Sequence, residues 1–372
     1  MIQGSKPRLL GGVALVAIAL IAVSGVRGGS AQTAGSTVQE KLDQLAKMRG
    51  AERQRFLEEQ AIKEGKVVWY SSNDPRLVRG WNDAFRKRYP QIDAQFVRMT
   101  ASATIQRALS ESQAGRPVTD LLDPPPTNLA ILQKNGVPVR YVSPESQGFD
   151  PDARDPRGFW TAYWYAPLVV AFNTGLVKRA EVPVTLEAAA DPALRGKLGF
   201  VSVAGPHWVA GVLKAKGEAA GMEAIRKIAA QEPRLYESHT ALGNALASGQ
   251  VPIAFELLIG VADRNKKAGA PVDWLAPEPF LVEPIYLVIP RDAPHPFAAA
   301  LVYDWLLSRE GQALYKETGY LGPRKDTEYA PSAADIMKVA RTEKRTVVDL
   351  STDVLANVDR DIKIFEDLFV RK

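Results

Sequence analysis

Three short polar clusters in this chain stand where strands would end and helices begin. Ser71, Ser72, Asn73 and Asp74 follow the run KVVWYS, Thr100 and Ser102 follow a second extended run, and Ser238 and His239 precede a helical stretch. Hydroxyls, amides and free backbone N–H groups at a helix N-terminus suit carboxylate or phosphate oxygens; the same residues also serve as ordinary caps. His207, in the turn Ala204-Gly205-Pro206-His207, leads into another helix in the same way. Asp123 ends a third apolar run, and Glu256 lies on or just beyond a buried one, where it pairs with a ligand amine or with a surface cation. Trp164 and Tyr165 open one long extended run and Tyr286 lies on another, placed to stack on an organic ligand. The matching structural reading is hinge packing. Asp74, Asp123 and Glu256 together leave a cationic amine open as a competing ligand.

Other chemistries find little support. There are three histidines, His207, His239 and His295, and Ser238 beside His239 is not a triad, because sequence neighbours do not aim at each other as nucleophile and base must. No HExxH, GxSxG or P-loop motif occurs. With no cysteine, disulfides, thiolate metal sites and a Cys nucleophile are excluded. No catalytic residue, cofactor or metal ion is expected, and the chain reads as a binder rather than an enzyme.

Residues 9–26 form a hydrophobic stretch behind Lys6 and Arg8, and Gly29-Ser30-Ala31 follows. A basic start, an apolar core and a small-x-small exit predict a secretory signal peptide over residues 1–31 and a periplasmic working place. No cysteine follows the apolar core to carry a lipid anchor. Of the 47 Lys and Arg, three (Lys6, Arg8, Arg27) lie in this segment, leaving 44 against 42 acidic residues. A nucleic-acid surface needs clustered Lys and Arg, and none is evident.

The elements that must position these residues alternate. Residues 36–64 read as one charged helix, 66–71 as a buried strand, and 75–90 as a helix started by Pro75 and stopped by Pro90. A strand at 94–99, a helix from about 103, a strand at 118–122 and a helix at 128–133 follow. This strand–helix order is that of a parallel sheet covered on both faces. It restarts after a long extended run at 163–173, with strands at 198–203, 251–257 and 272–275, and returns through a second extended run at 285–289. The fold class is therefore α/β, in two lobes joined by two extended crossings, a connection that suits a hinge.

Several pieces in order carry a family resemblance: EGKVVWYSS at 64–72, FRKRYP at 85–90, TDLLDPP at 119–125, WYAPLVVAFNT at 164–174, LRGKLGF at 194–200, ALASGQVPIAF at 245–255 and WLLSREGQALY at 305–315. Together they resemble the periplasmic solute-binding proteins of ABC importers, in the group that includes the ferric-iron binders. The resemblance implies the type II periplasmic-binding-protein fold, with the ligand between two lobes. It also implies a small-molecule ligand, delivery to an ABC permease in the inner membrane, and a monomer. The expected divisions are 32–64 for an N-terminal helical extension, 65–165 and 283–330 for the first lobe, 166–282 for the second, and 331–372 for a helical tail. The iron binders of the group carry adjacent tyrosines after the strand matching 251–255, where this chain reads Glu256-Leu257-Leu258-Ile259-Gly260. Ferric iron needs hard oxygen donors, so a small organic anion or zwitterion is the expected ligand. The alternatives are an iron site from Tyr163, Tyr165, Asp74 and Glu256, and a sensing subunit for a membrane receptor.

Overall fold

The computed structural model describes residues 37–371, apart from Tyr329, Ser351 and Thr352. The expected signal segment, residues 1–31, lies outside the described residues. Among the described residues no helix is long and apolar enough to cross a membrane.

The first lobe is built on a parallel sheet of β1 (Lys66–Ser71), β2 (Asp93–Arg98) and β3 (Leu121–Leu122), in the order β2-β1-β3. The central β1 is covered on both faces, so it reads as an unbroken Val-Val-Trp-Tyr run. Helices α3 (Pro75–Arg88), α4 (Ala101–Gln113) and α5 (Pro126–Lys134) follow the three strands in turn. β3 is shorter than the sequence suggests: Asp120 still donates its N–H to the Val68 carbonyl at 2.8 Å, but regular pairing with β1 is confined to Leu121 and Leu122. The Asp120 carboxylate accepts the Val68 N–H at 2.8 Å and the His295 N–H at 2.6 Å.

β4 (Thr161–Asn173) belongs to both lobes. Its first half pairs antiparallel with β9 (Phe280–Leu287), from Thr161 opposite Leu287 to Pro167 opposite Val282. Its second half pairs antiparallel with β7 (Ile253–Leu258) and β8 (Val272–Leu275). β7 continues the second sheet to the parallel strands β5 (Leu198–Val201) and β6 (Arg234–Tyr236). Leu168, Val170 and Phe172 of β4 enter one apolar core and Val169 and Ala171 the other, so this sheet too is covered on both faces. The helices of the second lobe are α7 (Gly205–Lys216), α8 (Glu218–Ala229), α9 (His239–Ala247) and α10 (Ile259–Lys267); α6 is the short turn Leu186–Ala189.

Both ends of the chain depart from the simple helical extensions expected. The N-terminal part is two helices, α1 (Val38–Ala46) and α2 (Gly50–Glu64), which pack Leu42, Leu45 and Leu57 into the first-lobe core. Gly65, at φ 68°, ends α2 in the left-handed conformation that glycine adopts without strain. Beyond α11 (Pro296–Leu307) and α12 (Arg309–Ala313), the tail forms α13 (Pro331–Thr342), a strand β10 (Val347–Asp349) parallel to β9, and α14 (Asp353–Phe365). It is thus part of the second sheet rather than a purely helical addition.

A buried ionic triangle fixes α2 to the body. The Arg53 guanidinium donates to Asp304 on α11 at 2.8 Å and to the Tyr141 hydroxyl at 2.7 Å, and that hydroxyl donates to Asp304 at 2.7 Å. Removing one partner of a buried pair strands the other charge in the core. Arg53→Met is therefore expected to cost about 3–5 kcal/mol in urea denaturation, and a loss near zero would contradict this role.

Candidate functional site

Between the lobes lies a cleft of about 860 Å³, part of it continuous with solvent. The first lobe contributes the loops at the C-terminal ends of β1 and β2: Ser72, Asn73 and Asp74, then Arg98, Met99 and Thr100. This is where open α/β sheets place their ligands. The second lobe contributes His207 at the start of α7 and Glu237, Ser238, His239 and Thr240 at the start of α9, while Glu283 and Ile285 come from β9.

Two helix N-termini open on this space, one from each lobe. The Thr100 hydroxyl accepts from Ala103 N–H at 3.3 Å to cap α4, and the Ser238 hydroxyl accepts from Ala241 N–H at 3.2 Å to cap α9. Each keeps its own O–H for the cleft. The Arg98 guanidinium donates to the Asn73 carbonyl at 3.1 Å, at the side of the cleft formed by the first lobe.

Below the first-lobe wall sits a closed polar network. The Asp123 carboxylate accepts from the Ser71 hydroxyl, from Asn73 Nδ2 and, at 2.9 Å, from the Tyr163 hydroxyl; Asn73 Nδ2 also donates to Tyr163 at 2.6 Å. Burial pushes the Asp123 carboxyl up to about 8, against the pull of those donors. Ser71 and Asp123 hold the β1 loop in shape and do not line the cleft, which corrects the expectation that they face a ligand. Asp74 has a divided role: it caps α3 through Arg76 N–H at 2.9 Å and forms an ion pair with Arg264 of α10, across the two lobes. Burial raises its carboxyl, but the Arg76 N–H and the Arg264 guanidinium outweigh burial and hold it below the ordinary range.

The inner end of the cleft gathers four titratable groups. His207 Nε2 lies 3.6 Å and His239 Nε2 3.9 Å from Glu283 Oε2. His207 Nε2, His239 Nδ1, Glu283 Oε2 and Glu256 Oε2 are buried without a hydrogen-bond partner. On its other side His207 Nδ1 meets the Thr127 hydroxyl of α5 at 3.5 Å. Burial drives His207 down to about 3, helped by His239, and drives His239 to about 3 by itself. Burial lifts Glu283 to about 8, and burial together with the neighbouring Glu283 lifts Glu256 to about 8. At neutral pH the four groups are thus mostly uncharged. Glu256 stands in a bulge, with Phe255 and Glu256 of β7 facing Val170 alone, and adopts φ 60°. A left-handed non-glycine residue costs on the order of 1–2 kcal/mol and is often kept at functional sites.

A second bulge settles the aromatic residues. Tyr163 is one extra residue in β4 against β9, so simple alternation fails there. Tyr163 turns into the first-lobe core against Trp69 and Trp81, and Trp164 lines the cleft against Tyr320, with ring centroids 4.4 Å apart. Tyr165 lines a different hollow, with Val282, Leu321 and Met337, and Tyr286 is buried against Trp160. Ser102 is exposed on α4 outside the cleft lining, and Glu256 lies beneath that lining. Of the residues singled out in sequence, Ser72, Asn73, Asp74, Thr100, Trp164, His207, Ser238 and His239 come together; Ser71, Ser102, Asp123, Tyr165, Glu256 and Tyr286 do not line the cleft. Tyr163, Tyr165, Asp74 and Glu256 do not converge, which removes the iron site considered above; among the described residues no group of three or more His, Asp or Glu has metal-holding geometry. Arg98, Glu283 and Tyr320 were missed. A lone acid in the apolar run FLVEPIYL was a visible signal for Glu283.

Two lobes hinged on two shared strands around a polar cleft define a solute-binding protein. The chain belongs to the bacterial extracellular solute-binding proteins, whose family model matches residues 139–339. Iron-bound HitA from Pseudomonas aeruginosa has a similar fold, with a TM-score of 0.69 at 18% identity, over 82% of this chain and 99% of that one. AfuA from Actinobacillus pleuropneumoniae, with fructose-6-phosphate bound, aligns with a TM-score of 0.70 at 20% identity, over 82% and 98%. A ferric binding protein from Campylobacter jejuni aligns with a TM-score of 0.67 at 15% identity, over 81% and 99%. No curated protein sequence matches the chain. The role is that of the solute-binding component of an ABC importer.

The Asp74–Arg264 pair joins the lobes directly, and a hydrogen-bonded charge pair of this kind contributes about 1.5–3 kcal/mol. Asp74→Asn is expected to shift the protein without added solute toward the open form, seen as a larger radius of gyration in small-angle X-ray scattering. An unchanged radius would show that the pair does not hold the lobes together.

Proposed function

We propose that this chain captures a small organic anion or zwitterion in the periplasm, closes its two lobes over it, and hands it unchanged to a permease in the inner membrane. The observation that carries this reading is the pairing of helix N-termini across the cleft. Those of α4 and α9 belong to different lobes, so an anionic solute held by both stabilises the closed arrangement over the open one. Arg98 adds a cation on the same side as α4, and Trp164 and Tyr320 give an apolar surface for the body of the solute. The fold alone sets no ligand, since relatives named for iron and for a sugar phosphate share it. The lining supports an organic solute. The tyrosines of β4 are committed elsewhere, and the cleft offers hydroxyls, imidazoles and aromatic rings with a single phenol, Tyr320, which packs on Trp164 and whose ionisation burial opposes.

Protein purified from cells is expected to release one small organic molecule on denaturation, detected by comparing native and denaturing mass spectra. A visible tyrosinate–iron absorption band, or a protein that carries and binds no solute, would sink this reading.

A further inference from the structure

We propose that the inner end of the cleft is a seat for a primary ammonium group, which makes the solute an amine-bearing zwitterion rather than a plain anion. This rests on the cleft being the solute site. Glu283 Oε2 on β9 faces His207 Nε2 on α7 and His239 Nε2 on α9, yet at 3.6 and 3.9 Å it bonds to neither. Glu283 and His207 are more than nine-tenths buried, line the cleft, and present these atoms without partners. Buried polar groups left so are costly, about 1–3 kcal/mol each, unless something fills the gap.

The chemistry of the three atoms selects the filler. A neutral imidazole turns one lone pair outward, and a carboxylate accepts only, so the spot offers three acceptors. A primary ammonium offers three N–H donors and a charge to match Glu283. A nitrogen about 2.85 Å from each atom subtends roughly 80° between Glu283 and either histidine, so the side chains part by about 1 Å to meet tetrahedral N–H directions. Among the described residues no group of three or more His, Asp or Glu has metal-holding geometry, these three included. An anion would face two carboxyl groups, Glu283 and Glu256, with both histidines uncharged. The opposite end of the solute lies at Arg98 and the α4 terminus, which suits its anionic group.

Seating the ammonium also moves a proton. The groups facing Glu283 are His207 on α7, His239 on α9, Glu256 on β7 and Tyr320; the histidines titrate far below neutrality, Tyr320 well above it, and Glu256 is lifted to about 8 by burial and by Glu283 itself. The Glu283 carboxyl, protonated at pH 7 without solute, ionises against the ammonium and releases close to one proton, while Glu256 keeps its own. Affinity accordingly rises as pH increases from about 6 to about 8 and levels off above.

The test titrates the full chain by isothermal calorimetry at pH 7, in buffers of low and high ionisation enthalpy. The probes are 2-aminoethyl and 3-aminopropyl phosphate, ethyl and propyl phosphate as their ammonium-free counterparts, and Zn²⁺ or Mn²⁺ alone. At least one aminoalkyl phosphate is expected to bind about tenfold or more tighter than its counterpart, with proton release. Glu283→Gln, a neutral side chain of the same shape, should remove both the preference and the proton release. Equal affinity within each pair, a preference that survives Glu283→Gln, metal binding that depends on Glu283, or no binding of any aminoalkyl phosphate each overturns the proposal. The cleft reading is judged separately by the solute released from purified protein: one without an amine ends the ammonium seat and leaves the cleft reading standing.

Discussion

The thirteen residues of β4 have to satisfy two sheets at once. Their backbone groups go to β9 in the first half and to β7 and β8 in the second, so the strand is buried nearly throughout and any turning of one lobe on the other must pass through it. A buried backbone cannot leave its hydrogen bonds unpaired, which confines bending to places where the ladder is already irregular. There are two such places, the extra residue Tyr163 against β9 and the Phe255–Glu256 bulge against Val170. Both lie next to the cleft. The first sends Trp164 to the cleft and Tyr163 into the core, and the second sets Glu256 behind Glu283. Hinge and site are thus one piece of backbone.

The cleft is electrostatically asymmetric. Its outer part is furnished with satisfied groups: caps that keep a spare donor, an ion pair across the lobes, and an arginine on a backbone carbonyl. Its inner part holds unsatisfied groups kept neutral by burial. Satisfied groups give a preformed surface at little cost, whereas unsatisfied ones raise the free energy of the protein without solute and lower it when a matching group arrives. The discrimination should therefore concentrate at the inner end, because a solute lacking the right group leaves the same polar atoms stranded.

How far the sequence revealed this follows from the range of the interactions involved. β1 and β8 were read to the residue and β4 to within two residues of its start, because buried strands bounded by glycine, proline and caps write their limits locally. The polar turns of α3, α4 and α9 were also visible, since caps have local signatures. The bulges were not, because each depends on the register between distant strands, and with them went the direction of Trp164 and Tyr165. His207 and His239, 32 positions apart, carry no spacing that announces a meeting; α7 and α9 pack in the cores on opposite faces of the second sheet, and only their N-terminal ends converge on Glu283. β10 is three residues long and pairs in parallel with a strand more than sixty positions earlier, which no local pattern encodes.

That strand changes what the ends of the chain do. β10 and the two tail helices wrap the second lobe: Ala333, Ile336 and Ala340 of α13 enter the core on one face of its sheet, and Phe365 and Phe369 enter the core on the other. Gly205, at the start of α7, leaves the space that Phe365 occupies, since a Cβ there would lie 2.1 Å from the ring. The same α14 reaches the first lobe, where Asp359 pairs with Lys134 of α5 at 2.7 Å, while Arg360 pairs with Glu218 of the second lobe at 3.3 Å. α14 is thus anchored in the second lobe by aromatic packing and also lies along α5 of the first, where Asp359 and Lys134 form an exposed ion pair. Exposed pairs contribute about 0–1 kcal/mol and packed aromatic side chains several times that. α14 packs more extensively on α7 than on α5, so an opening of the lobes would be expected to keep it with the second lobe. α5 also carries Thr127 against His207, so the packing of α14 on α5 bears on the inner end of the cleft, while Asp74–Arg264 and the contact of Tyr320 with Gly260 tie the lobes on the other side.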